Sequence, residues 1–170
     1  MAALAVAVGL IVACRGDNEL SGSVDQLFPL AVSRVDLLRN EQAFQVSYYA
    51  NRGAAIDLVA RVTLFVGDAG FAPGETLDLA GEYTPGHPRT TVIHLASGEP
   101  TRVFPRVERG DLILEQGGGI DQPTRGNFSM LFERGDAFGA GRTLEGTFAG
   151  LPRDAGYDWY LPETGGTGSP

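Results

Sequence analysis

The stretch "IDLVARVTLFV", residues 56 to 66, carries an aliphatic side chain at every even position: Ile56, Leu58, Ala60, Val62, Leu64 and Val66. Asp57, Arg61 and Thr63 fall between them. A period of two puts these sets on opposite sides of an extended chain, so the segment reads as a half-buried strand whose even face is the centre of a core. "FQVSYY" repeats the pattern with Phe44, Val46 and Tyr48 inward, and "NFSMLFE" with Phe128, Met130 and Phe132. Further strands are expected within 30–38, 76–80, 90–96, 101–107 and 111–116. Turn signals separate them, among them Pro85-Gly86-His87-Pro88, Ser97-Gly98-Glu99-Pro100 and Gly117-Gly118-Gly119. No stretch after residue 19 sustains a helical period. The expected fold is all-β, an antiparallel sandwich or barrel of about eight to ten short strands spanning 19–150.

The two ends of that region echo each other. Leu20-Ser-Gly22-Ser-Val24 and Leu144-Glu-Gly146-Thr-Phe148 both read apolar-x-Gly-x-apolar. Glycine inside a strand is unfavourable unless a bend or a close approach requires it. The echo is either a coincidence of composition or two strands of similar environment, neighbours in one sheet.

Composition narrows the partners. A chain of 170 residues with 43% hydrophobic content holds one domain with a core of its own. The formal net charge of −8 argues against nucleic acid and anionic bilayer surfaces as partners, since both demand clustered positive charge. The basic side chains are arginines scattered singly along the chain. The single cysteine excludes an intramolecular disulfide and a thiolate zinc site, leaving a free thiol, an intermolecular bridge or a lipid attachment.

That cysteine, Cys14, closes the uncharged run "MAALAVAVGLIVA" at residues 1–13. A helix of this length rises only about 20 Å against roughly 30 Å of hydrocarbon, so it suits the apolar region of a signal peptide better than a membrane span. Ile11-Val12-Ala13-Cys14 resembles the lipobox of bacterial lipoprotein precursors: an aliphatic residue, a variable one, a small one, then the cysteine. The resemblance implies cleavage before Cys14, a diacylglyceryl thioether on its sulfur and a mature protein held at a membrane by several acyl chains. No basic residue precedes Cys14, which points to a start upstream of Met1. Arg15 stands where an aspartate signals inner-membrane retention in Gram-negative lipoproteins, which favours the outer membrane. Residues 1–13 are then a signal peptide, 14–18 a lipidated tether, and 151–170 a Gly/Pro-rich C-terminal tail.

Two motifs invite other readings. Leu161-Pro-Glu-Thr-Gly165 resembles the sortase signal, but only a short polar tail follows, without the hydrophobic span the sorting reaction needs. Arg-Gly-Asp occurs at 15–17, 109–111 and 134–136. The last two are read as turns at strand ends, because Gly-Asp supplies positive φ and a side-chain acceptor.

Chemistry-bearing constellations are sparse. His94 alternates with Val92 in a strand and reads as a satisfied or exposed strand histidine, and His87 as an exposed turn residue. No His or Cys spacing suits a metal, no serine-nucleophile motif occurs, and no cofactor is expected. Asp68, Glu75 and Asp121 could supply carboxylates but lack calcium-loop spacing. Tyr157, Trp159 and Tyr160 cluster just past the last strand, as candidate binding residues or as cover for an open end of the domain. No motif of the mature part points to a particular domain family. The expectation is a non-enzymatic, lipid-anchored cell-envelope protein with a structural or binding role. The alternatives are a calycin-like carrier of a small apolar ligand, which needs an interior cavity, and an envelope hydrolase, which needs two facing carboxylates.

Overall fold

A computed structural model describes residues 16–67 and 71–154. The chain begins with β1 (Leu20–Ser21) and a single 3-10 turn at Ser23–Gln26, followed by β2 (Arg34–Arg39), β3 (Ala43–Arg52) and β4 (Ala55–Phe65). Short strands come next: β5 (Thr76–Asp78), β6 (Glu82–Thr84) and β7 (His87–Pro88). Then come β8 (Thr90–Leu95), β9 (Arg102–Val103), β10 (Val107–Gln116), β11 (Thr124–Phe132), β12 (Thr143–Gly150) and β13 (Arg153–Asp154).

Two sheets pack face to face. One has five strands in the order β1-β12-β11-β10-β5, the other six in the order β13-β2-β3-β4-β8-β9, and β6-β7 form a small hairpin beside them. Every pairing is antiparallel except β13 on β2. This is an all-β, sandwich-like fold, as the period-two segments require. The expected inward residues Phe44, Val46, Tyr48, Phe128, Met130 and Phe132 are all buried. The glycine echo holds in part: β1 lies beside β12 with Leu20 opposite Gly146, but the strand ends at Ser21, and Gly22 caps the 3-10 turn that carries Val24.

The five-stranded sheet reaches its partner through reciprocal pairs of glycine and phenylalanine. On β11 and β12, Gly126 faces Phe148, and Phe128 faces Gly146. A Cβ on Gly146 would meet the Phe128 ring at 2.6 Å and the Tyr48 hydroxyl at 2.9 Å. A Cβ on Gly126 would meet Phe148 at 2.6 Å and the backbone oxygen of Ile113 at 2.6 Å. Each ring therefore lies over the bare backbone its neighbour provides. Tyr48 crosses from the other sheet and donates its hydroxyl to the Thr147 carbonyl at 3.0 Å, so the buried phenol is not left unsatisfied.

The stretch at 56 to 66 departs from strict alternation at one point. Ala60, Val62, Leu64 and Val66 face the core as expected. Between Tyr48 and Tyr49 the pairing jumps from Ala60 to Leu58, so Val59 is an extra residue in the ladder. One extra residue inverts every side chain before it. Ile56, expected inward, is 57% exposed, and Asp57, expected outward, is 3% exposed. The buried Asp57 carboxylate accepts the Ser97 N–H at 2.7 Å and pairs with Arg52 Nε at 2.7 Å. Thr63 does lie on the opposite side, yet it is buried too. Its hydroxyl donates to Gln45 Oε1 at 3.2 Å, and Gln45 Nε2 donates to Ser47 at 3.3 Å. The middle of the six-stranded sheet is thus covered on both faces, with short polar side chains satisfying one another on the outer one.

The second Arg-Gly-Asp is no turn. Arg109, Gly110 and Asp111 sit inside β10, paired with Leu131, Met130 and Ser129. A Cβ on Gly110 would come within 2.6 Å of the Ser129 carbonyl oxygen, so this glycine serves a close approach of two strands. At 134–136 the turn reading holds, with Gly135 at φ 150°.

Three substitutions separate these roles. Leu64→Ala should lower unfolding free energy by about 2 to 5 kcal/mol. Ile56→Ala should stay within about 0.5 kcal/mol, as exposed positions do. Gly126→Ala should cost about 1 to 3 kcal/mol through overpacking. Denaturant titrations that put Ile56→Ala on a par with Leu64→Ala would refute the inversion at Val59.

Candidate functional site

Cys14, Tyr157, Trp159 and Tyr160 lie outside the described residues, as does Asp68. The structure describes the chain that leads from and towards them. Residues 16 to 18, read from sequence as part of a tether, run alongside β12. Thr147 Oγ1 donates to the Gly16 carbonyl at 2.9 Å, and Ala149 N–H donates to Asn18 Oδ1 at 2.8 Å. Asp17 forms an ion pair with Arg125 on β11. At the other terminus β13 lies parallel to β2, with Arg153 opposite Leu38 and Asp154 opposite Arg39.

His94 is buried, and its place follows from the bulge. Between Leu58 and Arg61 the β4–β8 register also shifts, leaving His94 across from Val59. The imidazole Nδ1 bonds to the Val59 carbonyl at 2.9 Å. Because a carbonyl only accepts, Nδ1 carries the proton. The ring stacks on Phe28 with centroids 3.9 Å apart, and Phe138 lies 6.3 Å away on a near-parallel plane. This is the satisfied strand histidine, its Nδ1 proton and ring face taken up by structure. His87 is exposed in its turn, with Nδ1 3.3 Å from Thr84 Oγ1 and from the Pro85 carbonyl. In the same hairpin, the Gly86 N–H and then the Arg106 guanidinium hold the Glu82 carboxyl below its usual range.

Local motifs give no hint of one arrangement that register creates. A row crosses the outer face of the five-stranded sheet: Asp78, Asp111, Ser129, Glu145 and Ser21 are successive partners on β5, β10, β11, β12 and β1. Asp78 and Asp111 stand directly opposite each other, both exposed, and Asp78 also accepts the Ala80 N–H at 2.9 Å. Beside them is an open hollow of about 250 Å³ whose lining includes Arg109, Asp111, Ser129, Leu131 and Thr143. The hollow lies on the outside of the sheet. The space between the sheets is filled by Phe44, Tyr48, Phe128, Phe132 and Phe148, each at most 2% exposed. Among the described residues no group of three or more His, Cys, Asp or Glu is arranged to hold a metal ion. The Glu75 carboxylate accepts the Ala72 N–H at 3.3 Å, and the backbone N–H of Asp121 donates to the Pro152 carbonyl at 2.8 Å.

No protein-family model, curated protein or solved structure matches the chain. Among the described residues no helix is long and apolar enough to cross a membrane.

Two buried polar side chains yield predictions. His94→Ala orphans the Val59 carbonyl and removes a stacked ring, which should cost about 2 to 4 kcal/mol of unfolding free energy. Burial raises the Tyr48 phenol well above 10.0. The neutral phenol is therefore favoured in the folded state, so its stabilising effect is intact below the unfolded value near 10 and is lost as pH climbs above it. Unfolding midpoints should fall between about pH 9 and 11. In Tyr48→Phe that fall should shrink, on a baseline lowered by about 1 kcal/mol for the lost hydrogen bond.

Proposed function

We propose that the protein is a lipid-anchored component of a bacterial cell envelope, with a structural or binding role carried by a rigid β-sandwich. The observation that carries this reading is the placement of the sole cysteine: Cys14 ends the lipobox-like Ile11-Val12-Ala13 at the close of an uncharged apolar run. The domain that follows starts at once, with Gly16 to Asn18 already bonded to β12. A compact domain so near the attachment point suits a protein displayed on a membrane. In a Gram-negative cell, Arg15 in place of the retention aspartate favours the outer membrane.

A role in binding or structure, in preference to catalysis, is supported by how the polar groups are spent. His94 is tied to a backbone carbonyl and stacked on Phe28, and Asp57 is tied to Arg52 and Ser97. The exposed carboxylates Asp78 and Asp111 stand on the outer face of the sheet beside an open hollow. In protein isolated from the native host, mass spectrometry should find an acylated cysteine at the N-terminus and no residues 1–13. Cys14→Ser should move the protein from the membrane pellet to the soluble fraction. A free Cys14 thiol on a soluble mature chain would overturn the reading.

A further inference from the structure

We propose that copies of this chain stack on one another, the outer face of the six-stranded sheet of one copy docking on the outer face of the five-stranded sheet of the next. The contact is independent of the lipid anchor and rests on two faces of unlike character.

The bulge at Val59 gives the six-stranded sheet an apolar outer corner. Tyr48 faces inward, so Tyr49 and the residues paired with it face out. Leu58 lies opposite Tyr49 and Leu95, and Ile56 lies opposite Asn51. Ile93, two residues before Leu95, lies opposite Val103 on β9. Ile56, Leu95 and Val103 are exposed, and Leu58, though buried, does not belong to the cluster packed between the sheets. Single exposed aliphatic residues are ordinary on a protein surface, but five that adjoin across three strands form a patch of the kind that marks a contact surface.

That corner is edged with positive charge. Arg61 stands opposite Ile93 and forms no ion pair among the described residues, and its Nε is buried without an acceptor. Arg34 lies over the Tyr49 ring at 4.5 Å and pairs with Asp36 at 3.2 Å.

The outer face of the five-stranded sheet has the opposite sign. Asp78, Asp111 and Glu145 share one row across it, and Asp78 and Asp111 stand directly opposite each other without an ion pair among the described residues. Like charges directly opposite are destabilising, so a cation from outside relieves a cost that the isolated molecule carries. Arg61 of a second copy is such a cation. Aliphatic surface adjoins the aspartates: Ile113, two residues along from Asp111, is exposed, and Leu131 lines the open hollow of about 250 Å³ beside them. The hollow can take side chains that protrude from the other face, such as Val103.

Charge selects this pairing over the two symmetric ones. A contact between two six-stranded faces sets Arg34 and Arg61 near their own copies, and one between two five-stranded faces gathers the aspartates; repulsion disfavours both. Stacked sheets pack about 10 Å apart with their strands within about 30° of each other, which two outer strand faces can satisfy. Because the two faces look in opposite directions, repeating the contact adds copies along one line and does not close. The net charge of −8 opposes the approach of copies from a distance, so the stack forms at high local concentration.

The test uses the full chain carrying Cys14→Ser, which removes acylation and disulfide pairing at that position. In sedimentation equilibrium from micromolar to millimolar protein, the mean mass should climb past twice that of the monomer. Ile56→Asp with Val103→Asp blocks one face and Asp111→Arg the other, all at exposed positions. Each variant alone should stay monomeric, and an equal mixture should form a 1:1 dimer and nothing larger, because each supplies the face the other lacks. A monomeric parent at millimolar concentration, a mixture that does not associate, or either variant assembling alone overturns the stacking. Cross-linking repeats the test without added charge: Val103→Cys and Ser129→Cys, each the only thiol in its chain, are mixed in equal amounts and oxidised. The mixed disulfide should account for well over half of all dimers, whereas half or less, the statistical outcome, overturns the contact.

Discussion

The sandwich depends on a steric exchange between glycine and aromatic rings at its centre. Phe128 and Phe148 project from adjacent strands, and each needs room over the backbone of the other strand. Gly146 and Gly126 supply that room, and no larger residue fits at Gly126 without displacing the Ile113 carbonyl as well as a ring. Tyr48 enters the same space from the facing sheet and bonds to Thr147. Glycine normally weakens a strand interior. Here the loss is offset by burying rings that dominate core energetics because each removes a large apolar area from water.

A second constraint comes from the extra residue at Val59. A bulge leaves a backbone carbonyl poorly served by the ladder, and a buried carbonyl without a donor is unfavourable. His94 provides the donor, Phe28 covers its ring, and Phe104 and Phe138 complete an aromatic group around it. The same inversion turns Asp57 into the sheet, where Arg52 and the Ser97 N–H meet it. One inserted residue thus explains a buried histidine, a buried carboxylate and an exposed isoleucine. Function need not be invoked for any of them.

These constraints bear on how the molecule can be used. The interior is occupied by packed rings, Tyr48 ties one sheet to the other, and His94 and Asp57 are bonded within the six-stranded sheet and its connections. On the outside of the five-stranded sheet, register sets Asp78 opposite Asp111 beside an open hollow.

Much of this was legible in the order of residues. Alternation in Phe44–Tyr48, Ala60–Val66 and Phe128–Phe132 determined the strands and their inner faces, because a pleated chain alternates sides with a fixed period that burial must respect. The repeated apolar-x-Gly-x-apolar pattern matched neighbours only where Leu20–Ser21 pairs with β12, since the rest of the first stretch turns into a 3-10 turn. The lipobox-like run that ends at Cys14 is likewise a local pattern, readable without a fold. Tertiary structure alone decided where alternation breaks: nothing local marks Val59 as surplus, since a bulge is defined by the strands opposite. It alone decided that Thr63 is buried, because cover over an outer face comes from side chains distant in sequence. Gly110 looked like part of a turn and serves a close strand contact, for the same reason. Asp78 and Asp111, 33 positions apart, became partners only through register, and the β10–β11 connection met the chain after β12 only through the bond from the Asp121 N–H to the Pro152 carbonyl. Periodicity is a property of the covalent chain, whereas register, cover and proximity belong to pairs of segments.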